Sequence, residues 1–314
     1  MTLLRDPAFL GLAGAILGFL VLATAVARVL RWRVRTPGET IANLNARIDA
    51  WWVMCAVFTI ALLTGGAGSY LLFGLMSLLA LREFVTLADT GRADHRALFW
   101  AFFVVTPLQY VLVALKAYGL FSIMIPVYAF LFITVRVVLA GQTDRFLARA
   151  AQINWGLMVC VYCLSYAPAL LTLDGPGLHG QGAKLLLFLV LVTQFSDVFQ
   201  YLCGKLFGRH PIAPTISPNK TWEGFAGGVA AAVLFGAGIW WVTPFSPAQA
   251  ALLALAAALM GFVGGLVLSA VKRDRGVKDF GSTIAGHGGM LDRIDSLTFA
   301  APVFFQLTRY LVGG

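Results

Sequence analysis

Ten apolar stretches, each separated from the next by a polar segment, run through the chain. They lie at about 8–30, 49–64, 67–88, 97–115, 119–140, 151–172, 183–203, 224–243, 248–270 and 295–312. About 20 consecutive apolar residues are enough for a helix to cross a bilayer. The pattern therefore predicts an all-α fold, a polytopic membrane helix bundle of about ten transmembrane helices. The first stretch is too long for the apolar core of a signal peptide, so we interpret it as a retained helix.

The composition agrees with a membrane protein. Apolar residues make up 60% of the 314 positions and charged residues only 12%, whereas a soluble domain carries about 25% charged residues. The net charge of +9 would suggest nucleic-acid binding in a soluble protein. Here we expect basic loops that face anionic lipid instead, with no nucleic-acid partner. The four cysteines lie within apolar stretches and predict neither a disulfide framework nor a zinc site.

Lysine and arginine are distributed unequally between the two sides that alternating helices would create. With the amino terminus outside, 18 of the 23 basic residues lie in segments 28–47, 82–96, 141–150, 204–223 and 271–293. An excess of basic residues marks cytoplasmic loops. The charge pattern therefore predicts a polar site that faces the cytoplasm.

Asp197 is the first candidate for chemistry, because it interrupts the apolar stretch at 183–203. A carboxylate within a membrane span is costly, and such residues usually face a cavity, a partner charge or an ion. At helical spacing Gln194, Asp197, Tyr201 and Lys205 share one face. The alternative is an aspartate that only pairs with a cation between helices. Function is favoured because the polar stripe continues into a polar loop.

The segment "SPNKTWEG", Ser217 to Gly224, has the pattern of a helix start. Serine is a good helix cap and proline suits the first helical position. Lys220 would then lie in the first turn, where free N–H groups and the positive end of the helix dipole form a phosphate cradle. A capped helix with a lysine that reaches towards water explains the same residues equally well. Glu223 would either pair with Lys220 or help to hold a cation.

Charge is concentrated between Lys272 and Ser296, in "KRDRGVKDFGSTIAGHGGMLDRIDS". Its first four cations alone indicate no more than a cytoplasmic loop. The Gly-rich stretch leads to "DRID", where Asp292 and Asp295 share a helix face at i, i+3 spacing. Two adjacent carboxylates repel unless a cation lies between them, and Mg²⁺ takes oxygen ligands and bridges to substrate phosphates. For His287 we favour a phosphate contact over metal ligation; a purely structural histidine is the alternative.

Basic groups for phosphate, carboxylates for a divalent metal and flexible backbone are the parts needed for phosphoryl or nucleotidyl transfer. The sequence contains no GxxxxGK[ST] motif, so it is not a P-loop enzyme. The residues therefore predict a metal-dependent membrane enzyme with a phosphate-rich substrate, and they do not name the nucleotide.

The stretch from Ser269 to Asp295 closely resembles the signature of the phosphatidate cytidylyltransferases, also called CDP-diacylglycerol synthases. An earlier aspartate, a "GK-x-FG" and an "SP-x-KT-x-EG" of that family are similar to Asp197, "GKLFGRHP" and "SPNKTWEG" here. The resemblance covers about 190–312. The chain thus divides into N-terminal transmembrane helices at 1–180, with "LREF" (Leu81–Phe84) as a weak echo of the family, and a C-terminal catalytic transmembrane region at 181–314.

The resemblance implies an activity in phospholipid biosynthesis. CMP would be transferred from CTP to phosphatidic acid or a related lipid phosphate, with pyrophosphate released, Mg²⁺ as cofactor, K⁺ left open, and the bacterial inner membrane as location. It implies metal ligation by Asp197, Asp279, Asp292 and Asp295, and catalysis by Lys278, Asp279, Arg293 and Asp295. It implies substrate binding by Ser217, Lys220, Lys272, Arg273, His287, Gly288 and Gly289. Membrane lipids are expected partners, and a homodimer is left open.

Other functions remain as alternatives. One is CTP-dependent transfer to an isoprenoid-type lipid phosphate, or a CTP-dependent lipid kinase. Another is a transporter with Asp197 as its coupling site, although transporters often carry polar interruptions in both halves, and here polar residues cluster in the last 120. A catalytically inactive lipid-binding relative is disfavoured by the Lys–Asp and Asp–Arg–Asp sets.

Overall fold

The computed structural model describes residues 6–33, 39–175, 177–284 and 288–313, with side chains described except at 30, 31, 33 and 39–47. Ten helices follow one another in these ranges: α1 (Pro7–Arg33), α2 (Glu39–Leu63), α3 (Gly66–Leu87), α4 (Arg92–Ala114), α5 (Tyr118–Val138), α6 (Phe146–Thr172), α7 (Gly182–Phe207), α8 (Trp222–Gly238), α9 (Pro247–Asp274) and α10 (Leu291–Gly313). A small antiparallel hairpin of β1 (Pro211–Ala213) and β2 (Ser217–Thr221) joins α7 to α8. Each apolar stretch falls on one helix, so the predicted all-α bundle is confirmed.

Seven of these helices, α1, α3–α7 and α9, are long and apolar enough to cross a membrane by length and composition. Helix α8 and the Ile48–Leu63 part of α2 are apolar but shorter, and α10 is not among the seven. The chain is therefore an integral membrane protein, with seven helices meeting the criterion where the sequence predicted about ten.

Three of the spanning helices are not regular α-helix throughout. Each contains one π-helical segment, at Ala101–Val105 in α4, Met124–Ala129 in α5 and Met158–Cys163 in α6. Helix α4 begins with the 3₁₀ turn Arg92–Asp94, α6 ends with the 3₁₀ turn Leu170–Thr172, and a third 3₁₀ turn, Trp240–Val242, follows α8. Such single-turn π segments insert an extra residue into the hydrogen-bond ladder and shift the helix face beyond them.

Helices α7, α8, α9 and α10 pack against one another, and α10 also packs against the second half of α6 and against α3. Phe188 of α7 and Phe304 of α10 are fully buried with ring centroids 6.0 Å apart. The buried face of α9 is rich in alanine and glycine, including the fully buried Ala254 and Ala258. Small side chains let membrane helices approach closely, and this approach brings the polar ends of α7, α9 and α10 together.

The loops that the charge pattern places on one side also meet in the structure. Asp89, just after α3, accepts from Arg145 at 2.6 Å and from Arg275 at 2.8 Å. Arg273 donates to the carbonyl of Ile216 in the hairpin turn at 3.1 Å. At the opposite end, Lys184 pairs with Asp6 at 2.7 Å. The basic segments after α3, α5, α7 and α9 therefore share one end of the bundle.

Candidate active site

Asp197 of α7 and Asp295 of α10 meet at Ser296. The Ser296 hydroxyl donates to Asp197 Oδ2 across 2.6 Å, and the Ser296 backbone N–H donates to Asp295 Oδ1 across 2.8 Å. The same hydroxyl oxygen lies 3.4 Å from Asp295 Oδ1. Two carboxylates this close disfavour each other's charge unless a cation is near. The pair that the sequence analysis placed in one metal site is thus brought together.

Lys220 reaches the same place from the hairpin. A Cβ added at Gly265 of α9 would lie 2.9 Å from Lys220 Nζ and 3.5 Å from Asp295 Oδ2, so the ammonium and the carboxylate share the notch that Gly265 leaves. Lys220 Nζ also lies 4.9 Å from the ring centroid of Phe262. Burial lowers the pKa of Lys220, and the nearby Asp295 and Asp197 oppose that shift. Within the described residues, none of the ion pairs closer than 4.0 Å involves Lys220, Asp197 or Asp295.

The predicted helix start at Ser217 is wrong. Residues Ser217–Thr221 form strand β2, paired with β1, and the helix begins at Trp222. Thr221 is the cap, because its Oγ1 accepts from the Gly224 N–H at 3.1 Å. The backbone of Ser217 is used by the hairpin, so Lys220 precedes the helix instead of lying in its first turn. Its approach to the site comes from the hairpin geometry.

The Glu223 carboxylate pairs with His210 and not with Lys220. Its carboxylate lies 2.6 Å from His210 Nδ1 and accepts from the backbone N–H groups of Arg209 at 3.1 Å and His210 at 3.3 Å. The polar stripe predicted on α7 is also divided. Asp197 faces α10, whereas Tyr201 is exposed and lies beneath the Lys205 ammonium, 5.9 Å from ring centroid to Nζ.

Asp292 is buried and both of its carboxylate oxygens are engaged. Oδ1 accepts from Lys272 Nζ at 2.8 Å, and Oδ2 accepts from the backbone N–H groups of Phe280 at 2.8 Å and Gly289 at 3.0 Å. The described parts of the signature loop, residues 275–284 and 288–290, are therefore held against the first turn of α10 by this side chain. Metal ligation by Asp292 stays a prediction, and it would require these bonds to rearrange.

Other described residues of the signature lie within this loop or just before it. Lys278 and Asp279 are exposed, and a Cβ added at Gly288 would lie 3.5 Å from Asp279 Cγ and 3.1 Å from Asp292 Oδ2. Gly288 has a φ of 83°, a conformation that only glycine adopts readily. Arg273 donates to the carbonyls of Ile216 and Val277, both at 3.1 Å. His287 lies outside the described residues, so its predicted phosphate contact stays a prediction.

Arg293 follows Asp292 in the first turn of α10. Its Nε is buried and has no hydrogen-bond partner within the described part of the chain. A buried guanidinium nitrogen without an acceptor is costly, and a substrate phosphate would satisfy it. The predicted role of Arg293 in neutralising phosphate charge is compatible with this position.

Glu83 of α3, which lies in the "LREF" segment but was not predicted as a site residue, reaches the site from the N-terminal half. Glu83 is only 7% exposed, and it accepts from the backbone N–H groups of Met290 at 2.8 Å and Leu291 at 2.9 Å and from the Thr283 hydroxyl. The signal in the sequence was present, because Glu83 is a carboxylate within the apolar stretch at 67–88 and such residues are costly there.

The donor set fits a hard divalent cation. Asp197 and Asp295 offer adjacent carboxylate oxygens, and Mg²⁺ is usually bound by one or two carboxylates, with water and substrate phosphates completing the shell. Within the described residues no group of three or more His, Cys, Asp and Glu side chains is arranged to hold a metal. A metal at this pair would therefore depend on oxygens from substrate or water.

The sequence of the chain matches a known protein family. The model of the cytidylyltransferase family matches residues 45–311. A protein of Escherichia coli (strain K12), described as uncharacterized protein YnbB, is 40% identical over 295 residues, which are 93% of this chain and 95% of that protein.

Shorter matches carry a functional name. Phosphatidate cytidylyltransferase of Mycobacterium leprae is 42% identical over 134 residues, which are 41% of this chain and 42% of that enzyme. Phosphatidate cytidylyltransferase of Aquifex aeolicus is 42% identical over 123 residues, which are 39% of this chain and 46% of that enzyme. The chain thus matches less than half the length of these named relatives.

Proposed function

The chain belongs to the cytidylyltransferase family, and from this premise we propose that it transfers CMP from CTP to phosphatidic acid, giving CDP-diacylglycerol and pyrophosphate. It is a membrane-embedded nucleotidyltransferase. The acceptor is taken from the relatives named phosphatidate cytidylyltransferase.

The observation that carries the proposal is the carboxylate pair of Asp197 and Asp295, held by Ser296 with Lys220 in the adjacent notch. Both reactants carry phosphate, so the site needs positive charge that is not already neutralised by a direct ion pair. Lys220 meets this need, and Arg293 presents an unsatisfied buried nitrogen. Oriented charges of this kind stabilise the charge that develops during phosphoryl chemistry.

The reaction requires one bond to form and one to break. A phosphate oxygen of phosphatidic acid forms a bond to the α-phosphorus of CTP. The bond from that phosphorus to the oxygen bridging to the β-phosphate breaks, and its electron pair leaves with pyrophosphate. The acceptor needs no strong base, because a phosphate monoester is largely ionised near neutral pH.

The charged residues of the site have three proposed roles: contact with phosphate, ligation of the metal and positioning of the signature loop. Lys220 and Arg293 neutralise phosphate oxygens, with Lys278 and Arg273 at the exposed rim. Asp197 and Asp295 would hold Mg²⁺, with Asp279 as a further ligand. When bound, Mg²⁺ supplies Lewis-acid stabilisation of the transferring phosphoryl oxygens. Lys272 and Asp292 hold the signature loop against α10.

The site lies at the end of the bundle where the basic loops meet. Asp197 is ten residues before the end of α7, and Asp295 is in the second turn of α10. A site at that depth is reached by a lipid headgroup from the bilayer and by a nucleotide from water. The positive loops favour the cytoplasmic side for this end, and we propose the cytoplasmic membrane of a bacterium as location.

The acceptor is tested by following two labels. The purified protein in detergent would be incubated with Mg²⁺ and CTP labelled at either the α- or the γ-phosphate, with phosphatidic acid, an isoprenoid phosphate or diacylglycerol as acceptor. We expect the α-label to enter lipid with phosphatidic acid, together with released pyrophosphate. The γ-label in lipid would identify a kinase, and α-label only in the isoprenoid product would correct the acceptor. No transfer to any lipid would reject the function.

The isoprenoid phosphate is tested as an acceptor because the relatives with a named substrate match only part of this chain. One relative that matches at nearly full length is described as uncharacterized, whereas the relatives named phosphatidate cytidylyltransferase match over about two fifths of this chain. The Asp295→Asn variant, purified in parallel, is the control for activity from host enzymes.

A further inference from the structure

Glu83 connects the N-terminal half of the chain to the signature loop. We propose that Glu83 is a positioning residue that caps α10 from another helix and thereby fixes Asp295 and Arg293 for catalysis. This inference rests on the proposed function for its activity measurements, and on the contacts of Glu83 for its structure.

The contacts have the chemistry of a helix cap. The first N–H groups of a helix have no partner within the helix. Here the N–H groups of Met290 and Leu291, at the start of α10, donate to Glu83 Oε1 and Oε2 at 2.8 and 2.9 Å. A carboxylate at this position also interacts favourably with the positive end of the helix dipole. The acceptor is supplied by a residue more than 200 positions earlier in the chain.

The signature loop is folded closely around the same carboxylate. The Thr283 hydroxyl is its third donor. A Cβ added at Gly281 would lie 3.0 Å from Glu83 Oε1, and a Cβ at Gly289 would collide with the carboxylate. Both glycines thus leave space for Glu83. Besides its predicted role in substrate binding, Gly289 is needed for packing, because any side chain there would collide with Glu83.

No cation neutralises Glu83 within the described residues. The ion pairs found there do not include it, and its side chain is buried. A buried carboxylate with N–H and O–H donors only is stable as long as those donors stay in place. The loop and the start of α10 are therefore held in one arrangement around Glu83. Because Asp292, Arg293 and Asp295 lie in the first two turns of α10, this arrangement also sets their positions.

The test uses Glu83→Gln, which keeps the shape but replaces one acceptor oxygen by a donor. That NH₂ group would face a backbone N–H. For a group that orients metal and phosphate ligands, we expect kcat for CMP transfer to fall about 10- to 100-fold, with more Mg²⁺ needed for half-maximal rate. Thr283→Val removes a single donor, keeps the carboxylate, and should show the same changes to a smaller extent.

Two further measurements separate positioning from general stability. Hydrogen exchange of peptides that contain Met290 and Leu291 should become faster in Glu83→Gln, with other helices unchanged. Asp94→Asn is the matched control, because Asp94 is also buried and hydrogen-bonded, but to Arg149 on α6. It should lower the melting temperature and leave kcat per folded molecule and the Mg²⁺ requirement as in wild type.

Wild-type kcat and Mg²⁺ dependence in Glu83→Gln would overturn the proposal. So would a loss of activity that only follows the melting temperature, or unchanged exchange at Met290 and Leu291. Failure of the proposed function is distinguishable, because the wild-type protein itself would then transfer no CMP.

Discussion

The hydroxyl of Ser296 donates to Asp197 across 2.6 Å while the backbone N–H of the same residue donates to Asp295 across 2.8 Å. One residue thus orients two carboxylates from two helices. A hydroxyl has a single proton, so it can donate to only one of the two, and the backbone serves the other. The separation of the two carboxylates therefore depends on both donors.

Removal of that hydroxyl should loosen Asp197. In Ser296→Ala we expect kcat to fall about 10- to 100-fold, as for other contacts that orient metal ligands, with a higher Mg²⁺ requirement. Steady-state rates at varied Mg²⁺ are the measurement. Thr193→Ala is the control, because Thr193 is a buried hydroxyl of α7 that donates only to backbone carbonyls. Equal rates for Ser296→Ala and wild type would contradict the role.

Asp295 and Asp292 should respond differently to the same chemical change. In Asp295→Asn we expect turnover to fall at least about 100-fold, because the site would hold less firmly the cation that offsets charge developing on the phosphates, with the melting temperature unchanged. Asp279→Asn should behave in the same way. Asp292→Asn leaves the Lys272 side chain, which is only 12% exposed, without its anionic partner, so the protein should lose about 3 kcal/mol or more of stability.

Melting temperature and turnover, measured on all three variants, test whether Asp295 and Asp279 act in catalysis and Asp292 in stability. Full activity of Asp279→Asn at limiting Mg²⁺ would remove Asp279 from the metal ligands. A stable but inactive Asp292→Asn would instead support the predicted metal ligation by Asp292.

Gly265 is expected to tolerate no side chain. A methyl group there would lie 2.9 Å from Lys220 Nζ, so Gly265→Ala should displace the ammonium and raise the KM for CTP at least several-fold. Gly18→Ala on α1 is the matched control, because nothing lies within 4 Å of an added Cβ there, and its stability should stay within about 1 kcal/mol of wild type. An unchanged KM in Gly265→Ala would place the phosphate contact elsewhere.

The link between the loops should weaken in acid. Hydrogen bonds from Arg275 and Arg145 lower the pKa of Asp89 below its usual value. A group with a depressed folded-state pKa stabilises the fold above its unfolded-state pKa, about 3.9, and that contribution is lost as the pH falls through the folded-state pKa. Asp89→Asn should therefore lower the melting temperature at pH 6 and differ less from wild type near pH 3. A pH-independent difference would exclude this origin.

The apolar pattern predicted the helices because burial in lipid constrains every turn of a span. Asp197 was found because a lone carboxylate in such a span has few structural uses. The helix start predicted at Ser217 was wrong because Ser217–Thr221 pairs with Pro211–Ala213. This contact with an earlier segment overrides the local capping pattern. Glu83 is likewise a carboxylate in an apolar stretch, but its partners lie about 200 positions later in the chain. No local pattern showed that it reaches the same site as Asp197.

Since a carboxylate of α3 completes the start of α10, the first half of the chain is not an inert membrane anchor that could be exchanged freely. A hybrid protein that joins residues 181–314 to the early helices of a relative would need an acidic side chain at the same depth. Without it, the hybrid would insert into the bilayer and still lack an ordered reaction centre.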